Sequence, residues 1–339
     1  GISAFNISYY AFSEKSSLEG SHFLDSGTVE NNHSLNKTSP DIYYISFDAY
    51  ANESTLRETF DYDNSQFVNF LKDKGFYVAS KSRANYAETT LALGASLNMD
   101  YVDMSLLKTS MALGSKTRTQ MLQMLEDNKV VYLLKQRGYK FVHIAAGWGP
   151  AYKNRNADLE IKCDQMSEIL SVLVEASLYF PFEKHLKLVG NDRRQQILCM
   201  FDRFGKIANV SGPKFVFGNV MVPHFKYDFG PNGEHVVHDG SKEGYLGQLI
   251  FTTKKIMTMV DKILEQSDSP PIIILQSDHG PTVPYFKTNP KKPNDDDQFK
   301  KDRMKNLNAY LLPGKDHKML YQTISPVNSF RVIFNLYFN

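Results

Sequence analysis

Three stretches of the chain hold side chains able to bind a metal ion and supply a nucleophile. Asp48 follows the apolar run IYYISF, and Asp278, His279 and Gly280 follow the apolar run PIIILQS. A single Asp after a strand is ordinarily a turn former or a helix cap, because its carboxylate satisfies free backbone N–H groups. Adjacent Asp and His before a glycine are more particular: one tight turn then carries two donors suited to a divalent ion, with Asp48 as a third. The third stretch, NYAETTLALGASLN, turns from polar to apolar at Thr89 and Thr90. A threonine hydroxyl at a helix start would meet N–H groups and a dipole that favour phosphate or an alkoxide. The plainer reading is a threonine N-cap.

These residues need elements that bring them together. From Asp41 onward, apolar runs of strand length alternate with amphipathic stretches of helix length, the pattern of an α/β domain whose mostly parallel sheet is covered on both faces. Strands are expected at 42–47, 76–80, 139–146, 214–222, 271–277 and 307–313, and helices at 65–75, 117–137, 164–178, 191–208 and 243–266. In the last helix Leu246, Leu249, Ile250, Ile256, Val260, Ile263 and Leu264 form one apolar stripe, which is core. In a parallel sheet the carboxyl ends of the strands share an edge where ligands collect, so Asp48 and Asp278 are expected there together. Residues 1–39, rich in Ser, Asn, Glu and Gly, read as a linker or loosely attached arm, with the folded domain at 40–339. The charged stretch from Lys287 to Lys305 reads as a solvated loop bordering the site.

Composition narrows the function. The 39 basic and 37 acidic residues leave a net charge of +2, without the positive field of a nucleic-acid binder. No apolar run approaches the roughly 18–20 residues that cross a bilayer, and the start lacks the order of a signal peptide. Gly1 at the start is read as the edge of a longer natural chain. Cys163 and Cys199 are too few and too far apart for a zinc cluster; one disulfide and two buried thiols both fit, and buried thiols are the favoured reading. Sequons at Asn6, Asn32, Asn36, Asn52 and Asn209 are short enough to arise by chance.

The order Asp48, helix-start threonine, Asp278-His279 resembles the alkaline phosphatase and sulfatase superfamily. The resemblance runs from PDIYYISFDAY through NYAETTLALGASLN, MVPHFKYDFGPNGE and IIILQSDHGP to NLNAYLLP and SPVNSFRVIFNLYF. It is nearest in kind to the sulfatase-like extracytoplasmic domains of lipoteichoic acid synthases and phosphoethanolamine transferases. It implies an alkaline phosphatase-like fold and one divalent metal ion (Mn²⁺, Zn²⁺ or Mg²⁺) on Asp48, Thr89, Asp278 and His279. Thr89 is the implied nucleophile, favoured over Thr90 because the threonine follows the Gln or Glu of NYAET. His224 of VPHFKY is the implied substrate-binding histidine, with a loop histidine making a structural hydrogen bond as the alternative. His235, His238 and His317 are weaker candidates. Neither cysteine, nor any serine, starts the Cys/Ser-x-Pro-x-Arg motif of true sulfatases, so phosphoryl chemistry is expected. The implied activity is a phosphotransferase taking its group from a phospholipid or phosphodiester donor to a glycan or polymer acceptor. It would act outside the cytoplasmic membrane and be held there by helices preceding this chain. The alternatives are a hydrolase of the same kind and a non-catalytic binding domain.

Overall fold

The computed structural model describes residues 39–103, 116–146, 151–163, 193–207, 210–236, 240–281 and 297–339. The arm expected over 1–39, Ser39 apart, and the helix expected over 164–178 lie outside the described residues. The central strands are mostly apolar, and β1 (Ile42–Asp48), β5 (Lys214–Pro223) and β6 (Ile272–Ser277) are buried at every position. Such runs fit strands covered on both faces. With β2 (Tyr77–Val78), β3 (Lys140–Ala145), β4 (Leu159–Lys162) and β7 (Asn308–Leu311) they form a seven-stranded sheet in the order β2-β7-β6-β1-β5-β3-β4. β6, β1, β5, β3 and β4 pair in parallel, while β7 and β2 add an antiparallel edge. This is the α/β, mostly parallel architecture expected from the alternating pattern.

Side chains alternate across the sheet, so β1 sends Tyr43, Ile45 and Phe47 into one core and Ile42 and Tyr44 into the other. The first core is covered by α1 (Glu53–Phe60), α2 (Ser65–Asp73), α6 (Arg193–Lys206) and α7 (Lys242–Gln266). In α7, Leu249, Ile256, Met259, Val260 and Ile263 line the buried stripe. The second core lies under α3 (Thr89–Asn98), α5 (Lys129–Gln136) and α9 (Ser329–Tyr337).

The helix expected over 117–137 is two helices, α4 (Lys116–Glu126) and α5. Asn128 divides them: its Oδ1 accepts from Val131 N at 2.9 Å while its Nδ2 donates to Leu125 O at 2.8 Å, so one side chain ends a helix and caps the next. The cysteine expectation is corrected. Cys163, just after β4, and Cys199, in α6, are joined as a disulfide with their Cα atoms 5.6 Å apart. Their separation of 36 residues hid the pair, because the fold and not the spacing brings them into range. Asn52, first of its sequon, is buried and caps α1 through Thr55 N.

Candidate metal centre

β1 and β6 are neighbours and end at the same edge of the sheet, where Asp48 and the Asp278-His279 turn follow them. The turn after β1 is built to hold this position. Ala49 has φ of 67°, an uncommon conformation for a residue with a Cβ, and its N–H donates to Asp278 Oδ1 at 3.1 Å. Tyr245 of α7 donates to Ala49 O at 2.9 Å and accepts from Ala51 N at 3.1 Å, and Ser277 Oγ accepts from Tyr50 N at 2.8 Å. After β6, a Cβ on Gly280 would lie 2.0 Å from Asp302 O, so only glycine fits against α8 (Asp297–Met304).

Asp48, Asp278 and His279 are buried and each offers a ligand atom within 4.8 Å of the others. His279 Nε2 is 3.7 Å from Asp48 Oδ1 and 3.4 Å from Asp278 Oδ2. His279 Nδ1 is 3.0 Å from Gly280 O, an acceptor only, so the proton sits on Nδ1 and Nε2 keeps its lone pair. Asp48 Oδ1 and Asp278 Oδ2 are buried without a hydrogen-bond partner. Two orphaned carboxylate oxygens beside an imidazole lone pair are costly alone and fit a divalent cation. Among the described residues this is the one such cluster.

The electrostatics agree. Burial, with the neighbouring Asp278 charge, pushes the Asp48 carboxyl well above its ordinary range, while Arg303 and Arg193 oppose. Asp278 is raised to about 6, mainly by burial, against the Thr89 hydroxyl and the Ala49 N–H. Burial and the Arg303 charge hold His279 well below the usual histidine value.

Thr89 opens α3, and its Oγ1 is 3.5 Å from His279 Nε2. Thr90 is engaged elsewhere: its hydroxyl donates to Glu88 Oε1 at 2.8 Å, and Glu88 Oε2 accepts from Leu91 N at 2.9 Å. The cap of α3 is therefore Glu88, not a threonine, which leaves the Thr89 hydroxyl beside the cluster. α3 is buried over Thr90–Leu97, as its apolar sequence requires.

His224 follows β5 and is half-buried. Its Nδ1 is against Phe225 O, and its own carbonyl accepts from Arg193 Nη2 at 3.2 Å and Gln248 Nε2 at 2.9 Å. Were it protonated, its charge would help to lower the His279 pKa. His235 makes a bridge with Phe229, His317 meets the Tyr77 ring edge-on at 5.6 Å, and His238 lies outside the described residues.

Sequence reading missed α8. The stretch taken as a solvated loop includes a helix with Phe299 buried and Asp302 fully buried, and it delivers Arg303 to within 3.0 Å of His279 Nε2. Phe299 within a charged run was the available signal.

No protein-family model and no curated protein sequence matches the chain. Solved structures do. The C-terminal periplasmic domain of EptC from Escherichia coli is 12% identical, with a TM-score of 0.60 over 90% of this chain and 84% of that one; its complex with zinc is 11% identical, with a TM-score of 0.58 over the same shares. The integral membrane lipooligosaccharide phosphoethanolamine transferase A of Neisseria meningitidis is 10% identical, with a TM-score of 0.54 over 90% of this chain and 56% of that one. A phosphonate monoester hydrolase of Agrobacterium radiobacter is 12% identical, with a TM-score of 0.52 over 88% of this chain and 73% of that one. The chain thus has the fold of the alkaline phosphatase superfamily. It shares this fold with the phosphoethanolamine transferase domains above.

Proposed function

We propose that the chain is a metal-dependent phosphotransferase that moves a phosphoryl-linked group from a phospholipid-type donor to a cell-surface glycan or polymer through Thr89. The observation that carries this reading is the convergence of Asp48 Oδ1, Asp278 Oδ2 and His279 Nε2 beside the Thr89 hydroxyl, with both carboxylate oxygens lacking partners. A divalent ion on these groups supplies Lewis acidity that lowers the pKa of the threonine hydroxyl and offsets charge on the transferring group. Thr89 Oγ1 attacks phosphorus in line; the new O–P bond forms as the bond to the departing alcohol breaks, and the alcohol leaves carrying the proton given up by the Thr89 hydroxyl. The acceptor hydroxyl then attacks the phosphothreonine and releases the Thr89 oxygen. With Nδ1 against the Phe225 carbonyl, His224 carries its lone pair on Nε2 and is suited to take the acceptor's proton.

The zinc complex of EptC and the mixed oxygen and nitrogen donors support zinc, with manganese and magnesium compatible in part. The periplasmic and membrane-protein relatives support a position outside the cytoplasmic membrane, and the Cys163–Cys199 disulfide suits an oxidising compartment. Among the described residues no helix is long and apolar enough to cross a membrane. The test is turnover of a labelled phospholipid in zinc-loaded protein. Thr89→Ala should lose at least about 10³-fold in kcat while still binding zinc, whereas Thr90→Val stays within about tenfold. Full activity in Thr89→Ala would sink the assignment. Capture of the group by added glycan, against release to water, separates transferase from hydrolase.

A further inference from the structure

Arg303 spans the two segments that build the centre. Its Nη2 donates to Ala87 O at 2.9 Å and lies 3.0 Å from His279 Nε2, while Nη1 donates to Gly280 O at 2.8 Å. Ala87 stands two residues before Thr89, and Gly280 follows His279. His279 Nε2 is an acceptor, and the Arg303 N–H fills the lone pair that a divalent ion would take. Once that lone pair is given to an ion, the N–H loses this acceptor while both carbonyls keep the guanidinium in place. Thr89 Oγ1 is 3.5 Å from the same His279 nitrogen, so the guanidinium and the hydroxyl flank one ligand atom.

Charge favours a second partner for it there. The Asp48 and Asp278 carboxylates offset a dication, so an arriving phosphodiester adds an uncompensated negative charge to a buried centre. Arg303 acts on Asp48, Asp278, His279 and His224. Arg193, the other nearby cation, is held by Asp228 Oδ2 and by the carbonyls of Met221, His224 and Lys226. A guanidinium with fixed N–H directions matches phosphoryl oxygens.

We propose that Arg303 is the phosphoryl-binding cation of this centre: with a metal ion on His279, its Nη2 N–H would donate to a phosphoryl oxygen. The proposal rests on the metal-phosphoryl reading given above, and the experiment separates the two. Zinc, then inorganic phosphate, is titrated calorimetrically into wild type, Arg303→Met and Arg303→Lys, and Tm is recorded for each. Arg303→Met should bind zinc as tightly as wild type or more tightly, because the competitor for the His279 lone pair is gone. Its zinc-loaded form should bind inorganic phosphate about ten- to a hundredfold more weakly, with Arg303→Lys between the two. Unchanged phosphate affinity with zinc still bound overturns the proposal. Loss of zinc affinity and of Tm in both variants would make Arg303 a strap between two loops only, and also overturns it. Failure of the wild type to bind zinc removes the metal reading, and this proposal with it.

Discussion

His224 and His279 are both neutral, for related reasons and to different ends. Burial and two nearby guanidinium groups, Arg303 and Arg193, lower the His224 pKa to about 4, with the Phe225 carbonyl opposing. An unfolded chain takes up this proton near the ordinary value of about 6.5. Between these values the unfolded state binds more protons, so the stability that neutral His224 contributes is complete above about 6.5 and is lost as pH falls through 4. The same shift sets the proton-accepting form. In wild type the acidic limb of kcat/KM due to His224 should therefore lie near 4, and His224→Gln should lose that limb together with about 10²–10³ of rate. A limb at 6.5 in the pH-rate profile would contradict the environment described. Asp48, Asp278 and His279 could be read from sequence because each stands at a strand end, where residue type and position coincide. Arg303 could not: an arginine in a charged run looks like any solvated arginine until the packing of its helix is known.

The elements differ in how plainly the chain announces them. β1, β5 and β6 were legible because burial on both faces demands a largely apolar run, and α7 because its stripe persists through most of Lys242–Gln266. β4 is a four-residue edge strand, LEIK, too short to show a pattern, and α8 is short, highly charged and held by partners distant in sequence. Asp302 of α8 accepts from Thr59 Oγ1 at 2.6 Å and from Thr55 Oγ1 at 3.3 Å, which ties α8 to α1. Gly280 is the point where α8 meets the ligand turn, its N–H donating to Arg303 O at 2.7 Å. In Gly280→Ala the new Cβ would face Asp302 O at 2.0 Å and Lys305 O at 2.8 Å, both backbone atoms unable to step aside alone. The variant should lose about 1–3 kcal/mol in denaturant titration and bind zinc more weakly, because α8 and His279 must separate. Wild-type stability in Gly280→Ala would show that this approach is looser than described.

Two supports hold the molecule from opposite parts of the sheet. The candidate metal cluster lies at the ends of β1 and β6, strands at the middle of the order, while the Cys163–Cys199 disulfide joins the end of β4 at one edge to α6. A bridge over 36 residues removes loop entropy from the unfolded chain worth about 4 kcal/mol in the chain-entropy account. A Cys163→Ser, Cys199→Ser double variant should accordingly be less stable by about 2–4 kcal/mol. An ion that binds only the folded cluster stabilises by mass action, about 2.7 kcal/mol at a hundred times its Kd. The two effects share no side chain, and perturbations without shared partners add to within about 0.5 kcal/mol. Zinc at a hundred times its Kd should therefore stabilise the double cysteine variant by the same increment as wild type, and should add nothing to Asp278→Asn, which lacks a charged ligand. Denaturant titrations with and without zinc on these proteins measure all three quantities. An increment that collapses in the cysteine variant would mean that β4 and α6 help to set the geometry of the cluster across the sheet, and the separation of the two supports would be wrong.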